Sequence, residues 1–487
     1  MQTVDIDMYT ECFILFDECE KLVQDVHYRD SIREPMNDFF RFQNKALISA
    51  TPIVPEKDSR FDGFMRVLIQ PDYVYRQKLK LITTNNVLET LQEVIEAKRG
   101  TVCIFCNSID SIDSFYRLIP ELSNACTFCS EDGQYKLWKG NRRKKSMMIT
   151  ELERYNFFTS RFYSAVDILC KNPPHVIFVS DLYGAAQSVI DPATEAIQII
   201  GRFRGGVNSV THIASIRPEL ECMSSSEIDH WIQGASTIFN GWKAQLTRTT
   251  NIGERTLLQE AIGENSYLPY LDENGKPDSF LIANFYEKEQ VKRLYTSADL
   301  LHLAYEQTGY FVFSHEERLM PVSDNERMAI QHRLAKKKRA ELIVRKLEEM
   351  EKMSRATDKK IQKRYQRMLM NLITSTADRY IYDCFCRFGA EFVREADYNE
   401  NKLRTALNVS SEHTIKKSGQ MRTYIQRAFP VGAEISVQEA KSMLRQVYKK
   451  MGLNTGRGIT TKELEQYAEI ENSRNREARM IKILKHK

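Results

Sequence analysis

Between residues 10 and 220, short apolar runs alternate with longer helical stretches, and this alternation constrains the fold more than any other feature. The runs have about four to six residues and are rich in Ile, Val, Phe and Cys, as is typical of strands buried on both faces of a parallel sheet. The stretches between them suit the crossover helices that parallel strands require. The pattern predicts an α/β fold with strands at residues 12–16, 46–49, 102–106, 125–129, 155–159, 176–179 and 210–214.

The predicted strands fall into two groups, which predicts two parallel-sheet lobes, the first of them incomplete. A break near Gln70, Pro71 and Asp72 is followed by the extended segment 77–82, which we interpret as part of a linker. The predicted divisions are a partial first lobe at 1–70, the linker and the first helix of the second lobe at 71–100, and the second lobe at 101–220.

After residue 220 the alternation stops, and a mostly helical C-terminal region is predicted. Residues 221–326 are expected to be an accessory α/β region, with helices at 224–245 and 286–306 on either side of a turn at 272–277. The remaining predicted divisions are a basic helix at 327–375 and a helical C-terminal domain at 376–487.

The end of the C-terminal domain has an order typical of a winged helix. Ser436 and Glu439 form a capping box that opens a helix to about residue 450. A second helix is predicted at 460–467 and a strand at 481–483. Because the second helix is acidic, a role in protein docking is as well supported as one in reading a major groove.

The composition is that of a folded globular protein. With 42% hydrophobic residues, including 22 Tyr and 24 Phe, the chain has the apolar content that disordered chains lack. Its 10 cysteines lie mostly inside apolar runs and do not suggest a disulfide framework. No stretch approaches the ~20 apolar residues of a membrane span. We therefore expect a cytoplasmic protein without a membrane partner.

Positive charge is concentrated in one segment. The net charge of the chain is +5, whereas residues 327–367 hold 15 Lys or Arg against 5 Asp or Glu. Such clusters can neutralise nucleic-acid phosphates, and a solvated helix face is the alternative. The residues expected to contact nucleic acid are Lys336, Lys337, Lys338, Arg339, Lys363 and Arg364.

Asp17 and Glu18 directly follow the first predicted strand. Open parallel sheets bind ligands at the carboxyl ends of their strands. In a nucleotide-hydrolysing motor the first carboxylate holds Mg²⁺ through its water shell, and the second orients or deprotonates the attacking water. The alternative is a pair of solvated acids at the start of a helix, where negative charge is favourable.

Ser49, Ala50 and Thr51 follow the second predicted strand. Hydroxyl groups there can hydrogen-bond to the acidic motif and so couple a phosphate site to the nucleic-acid side of a motor. A simple Ser/Thr/Pro turn is the alternative. Because this run comes about 30 residues after Asp17, each motif strengthens the interpretation of the other.

Three further segments resemble, in order, the motifs of the second lobe of superfamily 2 helicases of the DEAD/DEAH type. Residues 102–108 resemble the first strand of that lobe, Thr159 and Ser160 with Asp167 and Ile168 fall on the spacing of motif V, and residues 191–204 resemble motif VI. The resemblance implies two RecA-like lobes that bind ATP and Mg²⁺ between them. It assigns catalytic roles to Asp17, Glu18, Gln198, Arg202 and Arg204, nucleotide contacts to Asp17, Gly201 and Asp167, coupling to Ser49, Ala50 and Thr51, and strand contact to Thr159.

The two arginines of motif VI lie at the end of a predicted helix. An arginine there can reach a γ-phosphate held by the first lobe and stabilise charge in the transition state. A basic helix end that complements its own dipole is the alternative. The Q-x-x-G-R-x-R form resembles the helicases of viral origin-binding proteins, and the usual last arginine is replaced by Gly205, so that Arg202 and Arg204 both stay open as the finger. Motif V also departs from the family, with Ala165 in place of Gly.

The sequence contains no G-x-x-x-x-G-K-[S/T] phosphate loop. Because the backbone and the lysine of that loop cradle the phosphates, tight ATP binding is not expected without it. We expect ATP and Mg²⁺ to bind only when the loop is supplied, for example by a polypeptide that carries the missing N-terminal helicase segment, and the chain alone to be inactive.

Four cysteines have a spacing found in zinc sites: Cys103, Cys106, Cys126 and Cys129. Each pair lies in a strand-like apolar run, where positions three apart point to opposite faces. We therefore expect no zinc, with a zinc-dependent binding module as the third interpretation.

The sequence thus predicts an ATP-dependent superfamily 2 helicase or translocase that acts on nucleic acid, with DNA as the expected partner. The form of motif VI suggests replication or mobile-element maintenance. The competing interpretation is a non-catalytic nucleic-acid-binding or scaffold protein derived from a helicase.

Overall fold

A computed structural model of the protein describes residues 6–27, 29–139, 145–149, 151–164, 166–330, 334–354, 365, 366, 368, 370, 373, 378–453, 458–474 and 478–487. The chain divides into two units, Met1–Met328 and Ala329–Lys487. The first unit is α/β and contains two parallel sheets. The second is mostly helical and contains a small antiparallel sheet.

The first unit contains ten strands and twelve α-helices among its described residues. The strands are β1 (Phe13–Asp17), β2 (Asn44–Ile48), β3 (Gln77–Thr84), β4 (Val102–Phe105), β5 (Cys126–Phe128), β6 (Lys145–Ser146), β7 (Tyr155–Phe158), β8 (His175–Ser180), β9 (Ser209–Ser215) and β10 (Phe311–Arg318). The helices are α1 (Ile6–Glu11), α2 (Lys21–Gln24), α3 (Pro35–Phe39), α4 (Val87–Glu96), α5 (Ile109–Leu118), α6 (Glu131–Lys139), α7 (Glu195–Gly201), α8 (Ser225–Arg248), α9 (Ile252–Gly263), α10 (Ser279–Leu294), α11 (Ala298–Gln307) and α12 (Asp324–Met328).

The small sheet consists of β1 and β2, which pair in parallel. Both strands lie where the sequence predicts them. One face of the small sheet packs on a core that includes Val23 and Phe39. The other face leaves Phe13 and Leu15 exposed by 63% and 54%, so the small sheet presents an uncovered apolar surface.

The large sheet consists of the remaining eight strands, all parallel, in the order β10-β3-β9-β8-β4-β7-β5-β6. Alternate residues of β4 feed two cores: Phe105 packs on one face of the sheet and Ile104 on the other. Every residue of β4 is buried, since helices cover both faces. The apolar runs of the sequence therefore form the centre of this sheet, as predicted.

The segment predicted as linker, 77–82, is instead part of β3. Lys78 and Lys80 are exposed while Leu79 and Leu81 are buried, an alternation typical of a strand. β3 pairs with β9 on one side and with β10 on the other. The prediction was wrong because the strand that completes this side of the sheet comes more than two hundred residues later in the chain.

Residues 221–326, predicted as an accessory region, contribute β10 to the large sheet. The helix predicted at 286–306 is two helices, α10 and α11, separated at Tyr295 to Ser297. The side chain of Ser297 accepts a hydrogen bond from the backbone N–H of Asp299, which starts α11 afresh. The turn predicted at 272–277 is present, closed by a bridge between Leu271 and Pro277.

Helix α10 takes part in the cores of both sheets. Near its start, Phe280 and Leu281 lie in the core of the small sheet. Towards its end Val291, and just beyond it Tyr295, lie in the core of the large sheet. An ion pair of 2.6 Å between Arg33 and Asp278 adds a polar contact at its start. One helix therefore joins the two sheets.

The second unit is described in five helices and three strands. They are α13 (Lys336–Ser354), α14 (Arg379–Glu395), α15 (Glu400–Lys416), α16 (Gly419–Ala428), β11 (Glu434–Ser436), α17 (Val437–Lys450), β12 (Ala468–Arg474) and β13 (Arg479–His486). The strands form an antiparallel sheet in the order β11-β13-β12. The second helix predicted at 460–467 is a 3-10 helix, Thr461–Gln466.

Among the described residues, none of the helices combines the length and the apolar character needed to cross a membrane.

Candidate functional site

The acidic motif forms a sharp turn directly after β1. Glu18 has a φ of +54°, a left-handed conformation that is uncommon for a residue with a side chain. Its backbone N–H donates to the carboxylate of Asp17 at 2.8 Å. Asp17 stays exposed, whereas Glu18 is half-buried and Glu20 is fully buried. Unusual backbone of this kind is concentrated at functional sites, because strain is retained where geometry matters.

The hydroxyl residues that follow β2 lie against this turn. The hydroxyl of Ser49 donates a short hydrogen bond to the carboxylate of Glu20. The backbone N–H of Thr51 donates to the Ser49 hydroxyl at 2.9 Å, while Ala50 is exposed. Since β1 and β2 are neighbours in parallel register, their carboxyl ends bring the two motifs together, as expected from the sequence.

Helix α7 of the large sheet delivers Gln198 to the same place. The amide nitrogen of Gln198 lies 3.2 Å from a carboxylate oxygen of Glu18, 3.2 Å from one of Glu20 and 3.0 Å from the hydroxyl of Thr51. An amide nitrogen carries two protons, so these three acceptors share two donors. The result is a polar cluster in which residues of the small sheet and of α7 are hydrogen-bonded to each other.

Arg202 completes this polar cluster. Its Nη2 donates to the side-chain carbonyl of Gln198 at 3.1 Å, and its Nε donates to the backbone carbonyl of Gln198 at 3.1 Å. The same Nη2 lies 3.7 Å from a carboxylate oxygen of Glu18. The guanidinium is therefore buried, oriented by α7 and directed at the acidic motif.

Arg204 takes a different direction. Its side chain is 63% exposed and its Nε donates to the carboxylate of Asp167 at 3.0 Å. Asp167 and Arg204 both belong to the part of the chain that forms the large sheet, so this ion pair does not reach the acidic motif. Gly201 is the last residue of α7 and directly precedes Arg202. The structure thus separates Arg202 and Arg204, which the sequence leaves equivalent.

Helix α7 is held against the small sheet near its start as well. The side chain of Gln24 at the end of α2 donates to the hydroxyl of Thr194 at 3.0 Å. That hydroxyl donates in turn to Asp191 at 2.5 Å. Asp191 accepts a further hydrogen bond from the backbone N–H of Ala193 in the turn before α7. Asp191 was predicted to be the N-cap of this helix, but α7 begins three residues later than that prediction requires, with Thr194 at the N-cap position. A second hydrogen-bonded link therefore runs parallel to the one through Gln198.

The polar cluster is electrostatically unusual because the buried carboxylate of Glu20 lies beside the half-buried carboxylate of Glu18. Burial, together with a hydrogen bond to Glu18, raises the pKa of Glu20 to about 7. The Ser49 hydrogen bond acts in the opposite direction, since it stabilises the carboxylate. Glu20 therefore changes its protonation near neutral pH, a property that suits groups that handle water or protons.

Other predicted site residues lie away from this cluster. Thr159 follows β7, and its hydroxyl donates to the backbone carbonyl of Phe128 at 3.4 Å. Lys336, Lys337 and Arg339 form ion pairs with acids of their own unit, including Arg339 with Asp378 at 2.6 Å. Lys338 is exposed. Ala165, Lys363 and Arg364 lie outside the described residues.

The four cysteines of the zinc-like spacing are divided between two cores. Cys103 and Cys126 belong to one face of the large sheet, and Cys106 and Cys129 to the other. The sheet separates Cys103 and Cys126 from Cys106 and Cys129, so the four thiols do not converge on one point. Within the described ranges, no three His, Cys, Asp or Glu side chains are placed to hold a metal ion.

Sequence reasoning missed Glu20, Gln24 and Thr194. Glu20 is the last residue of the run Asp17-Glu18-Cys19-Glu20. The available signal was a further acidic residue two positions after Glu18. Gln24 and Thr194 are 170 residues apart and their contact is tertiary, so nothing local in the sequence pointed to it.

Comparison of the chain with protein-family models and a search of curated proteins each gave no match.

Proposed function

We propose that the first unit is most of the motor core of a superfamily 2 nucleic-acid helicase or translocase, with the small and large sheets as its two RecA-like lobes. The observation that carries the proposal is the delivery of Gln198 and Arg202 by α7 of the large sheet onto the acidic turn of the small sheet. In such motors an acidic motif and an arginine from different lobes act on one nucleotide. The expected partner is DNA.

The residues on the small-sheet side suit Mg²⁺ and water chemistry. Asp17 is exposed, and its Oδ1 accepts a hydrogen bond from the backbone N–H of Glu18. Mg²⁺ takes one or two carboxylates from protein and completes its shell with water and substrate phosphates, so a single exposed carboxylate fits it. The ion would neutralise charge on the phosphates. Glu18 would orient or deprotonate the attacking water.

Arg202 suits the role of the finger better than Arg204. Its Nε and Nη2 are held by Gln198, which fixes the direction of the guanidinium. In the described part of the chain, Nη1 has no hydrogen-bond acceptor, so it can bind an oxyanion beside Glu18 without giving up the other contacts. Arg204, paired with Asp167 and exposed, would have to turn away from its partner.

The hydroxyl residues after β2 connect the acidic turn to α7 through hydrogen bonds. Thr51 accepts from the same Gln198 amide that contacts Glu18 and Glu20, and Ser49 donates to Glu20. A change of charge at Glu18 therefore changes hydrogen bonds to both sheets at once. We assign to Ser49 and Thr51 the coupling of the nucleotide state to the relative position of the sheets.

We propose that Thr159, the cations of α13 and the C-terminal part of the second unit bind nucleic acid. Thr159 would contact the strand, as the resemblance implies. Lys336 and Lys337 are engaged in exposed ion pairs, which are worth ~0–1 kcal/mol each and leave these cations available to phosphates. Arg339 would have to leave Asp378, which is buried, to bind a phosphate. The order of α16, β11, α17, a 3-10 helix, β12 and β13 is that of a winged helix, a fold that commonly binds DNA.

ATP turnover requires a phosphate-binding loop in addition to these residues, and we propose that a further polypeptide segment supplies it. The uncovered face of the small sheet is where we expect that segment to pack, because Phe13, Leu15 and Ile48 are exposed there. A segment of helicase type would add parallel strands beside β1 or β2 and cover these side chains.

The test is DNA-stimulated ATP hydrolysis by the chain alone and by a form whose reading frame is extended on its 5′ side to include G-x-x-x-x-G-K-[S/T]. We expect hydrolysis in the extended form and none in the chain alone. Glu18→Gln in the extended form should lower kcat by about 100-fold or more, because the water loses its base. Absence of hydrolysis in an extended form that binds ATP would contradict the proposal.

A non-catalytic scaffold is the second candidate, and α10 is the observation that favours it. Phe280 and Leu281 lie in the core of one sheet, and Val291 and Tyr295 in that of the other. A shared helix of this kind holds the sheets together without nucleotide. If the extended form binds nucleic acid in a salt-dependent way but never hydrolyses ATP, this candidate replaces the motor.

A further inference from the structure

Helix α17 of the second unit has two sharply different faces. Ala440, Leu444, Val447 and Tyr448 are buried, and they pack in a core with β13. The helix starts at Ser436, whose hydroxyl accepts from the backbone N–H of Glu439 at 3.2 Å. The buried face and the cap fix the rotation of α17 about its axis, and thereby fix which residues face outwards.

The outward face, which we call the α17 basic face, is polar and positively charged. Its members are all exposed and lie at spacings of three and four, so they form one stripe along the helix. With a rise of 1.5 Å per residue, cations four residues apart are separated by about 6 Å along the axis. The α17 basic face consists of Ser442, Arg445, Gln446, Lys449 and Lys450.

The cations of this face differ from those of α13 in their partners. Arg445, Lys449 and Lys450 have no ion pair with any residue that the structure describes. On α13, by contrast, Lys336 pairs with Glu400 and Lys337 with Asp397. Lys336 and Lys337 thus each have an acidic partner in their own unit, whereas the cations of the α17 basic face have none in the described part of the chain.

The charge around the α17 basic face and its lack of large apolar side chains indicate which class of partner can bind there. Residues 419–487 contain 14 Lys or Arg against 7 Asp or Glu, so the local field is positive. No large apolar side chain of α17 is among those exposed in the described part of the chain. A helix that lies in a membrane surface or docks on an apolar groove needs such side chains. Cations interleaved with Ser and Gln are instead what contacts phosphate and sugar.

We propose that the α17 basic face binds the phosphate backbone of nucleic acid, without sequence preference. The inference rests on the proposed function, because it supplies that function with a second-unit contact surface. The acidic 3-10 helix Thr461–Gln466 is not needed for this contact, since α17 carries it alone. Arg445 and Lys449 are the central contacts, each neutralising one phosphate.

The test is the affinity of the full chain for a fluorescent oligonucleotide of mixed sequence, single- and double-stranded, measured by anisotropy between about 50 and about 200 mM salt. The variant is R445Q with K449Q, and the matched control is R379Q with R394Q on α14, two exposed arginines that pair with Asp383 and Glu348. Both change two exposed lysines or arginines to glutamine in a helix. Circular dichroism and the thermal midpoint report whether each variant is folded.

We expect the R445Q/K449Q variant to bind at least about tenfold more weakly at 100 mM salt, with a slope of log K against log salt less steep by about 2. The R379Q/R394Q control should change the affinity by less than about threefold. A folded R445Q/K449Q variant that binds like the unmodified chain would overturn this inference and leave the proposed function standing.

The remaining outcomes are also distinct. If the unmodified chain binds neither oligonucleotide, the inference and the nucleic-acid part of the proposed function fall together. Polyglutamate serves as the probe for an acidic protein partner. If it displaces the oligonucleotide at an equal concentration of charges, and loses affinity equally in R445Q/K449Q, the face is an acidic-polypeptide site and the inference is wrong.

Discussion

At the scale of single residues, Gln198 is the point at which the two sheets meet. Its amide nitrogen donates to Glu18, Glu20 and Thr51, and its carbonyl accepts from Arg202. A buried amide can serve acids and a cation at once because it carries donors and acceptors on one group. Neither a carboxylate nor an apolar side chain could replace it.

We predict that Gln198→Ala lowers the free energy of unfolding by roughly 2–3 kcal/mol, because the buried Glu20 and the half-buried Glu18 lose their donor. Urea unfolding of the full chain, followed by near-ultraviolet circular dichroism, measures it. The matched control is Gln233→Ala on α8, where the side chain is exposed and a change within about 0.5 kcal/mol is expected. Equal effects of the two substitutions would contradict the account of the cluster.

The raised pKa of Glu20 predicts a pH dependence of stability. The pKa is about 7 in the folded chain, above the ordinary value of 4.5, so protonated Glu20 favours the folded state. That contribution is fully present below about pH 4.5 and is lost as the pH rises through about 7. Between about pH 5 and about pH 8 we therefore expect the stability of Glu20→Gln to improve, relative to the unmodified chain, by roughly 1–2 kcal/mol, allowing for solvent near the pair.

Urea midpoints of both proteins at the two pH values test this prediction. Taking the difference between the proteins cancels the titration of other groups, among them His212, whose burial lowers its pKa to about 3. A difference that is independent of pH would mean that Glu20 titrates normally.

Part of the candidate site could be read from the sequence, and part could not. Asp17, Ser49 and Gln198 follow strands or sit on a helix whose positions are set by local pattern, so the sequence found them. Arg202 and Arg204 could not be told apart, because which of them faces the acidic turn depends on where the small sheet lies, and that is a tertiary property. Glu20 was missed since its burial is a tertiary property.

At the scale of secondary-structure elements, α10 is the connection between the sheets. Apart from its apolar contacts, the amide of Asn284 donates to the backbone carbonyl of Val23 at 2.8 Å. At its other end the hydroxyl of Tyr295 donates to the backbone carbonyl of Ile190 at 2.7 Å, just before the segment that leads to α7. The helix thus supports both the turn after β1 and the start of α7.

Phe280→Ala tests the support that α10 gives to the small sheet. Phe280 is 3% exposed, and its removal leaves a cavity in a core of few residues. We expect a loss of about 3–5 kcal/mol in the free energy of unfolding. The backbone amides of β1 and β2 should also exchange faster with deuterium.

The control for Phe280→Ala is Leu257→Ala on α9. Leu257 is 68% exposed, so its truncation should change stability by less than about 0.5 kcal/mol. If β1 and β2 exchange as slowly in Phe280→Ala as in this control, α10 is not what stabilises the small sheet.

The elements themselves were predictable where apolar runs are continuous, as in β4 and β8. Strand β3 was not predictable. It alternates Lys with Leu and lies next to the last strand of the sheet, and this alternation also fits an extended linker. β10 was missed for a related reason: five of its eight residues are polar, and its partner β3 lies more than two hundred residues away in the sequence.

At the scale of the whole molecule, the first unit has two kinds of connection between its sheets. The apolar one runs through α10, and the polar one through Gln198 and Arg202. Phosphates can compete only for the polar connection, since it consists of charges and hydrogen bonds. We therefore expect the sheets of a working motor to move about α10 while the contacts at Glu18 open and close.

The most direct test of the central claim compares two arginines in the 5′-extended form that carries the phosphate loop. The measurement is kcat of DNA-stimulated ATP hydrolysis for Arg202→Ala and Arg204→Ala. Loss of an arginine finger costs about 10³-fold or more, which we expect for Arg202→Ala, against less than about tenfold for Arg204→Ala. Undiminished hydrolysis in Arg202→Ala, with the protein folded, would contradict an ATP site built across the two sheets.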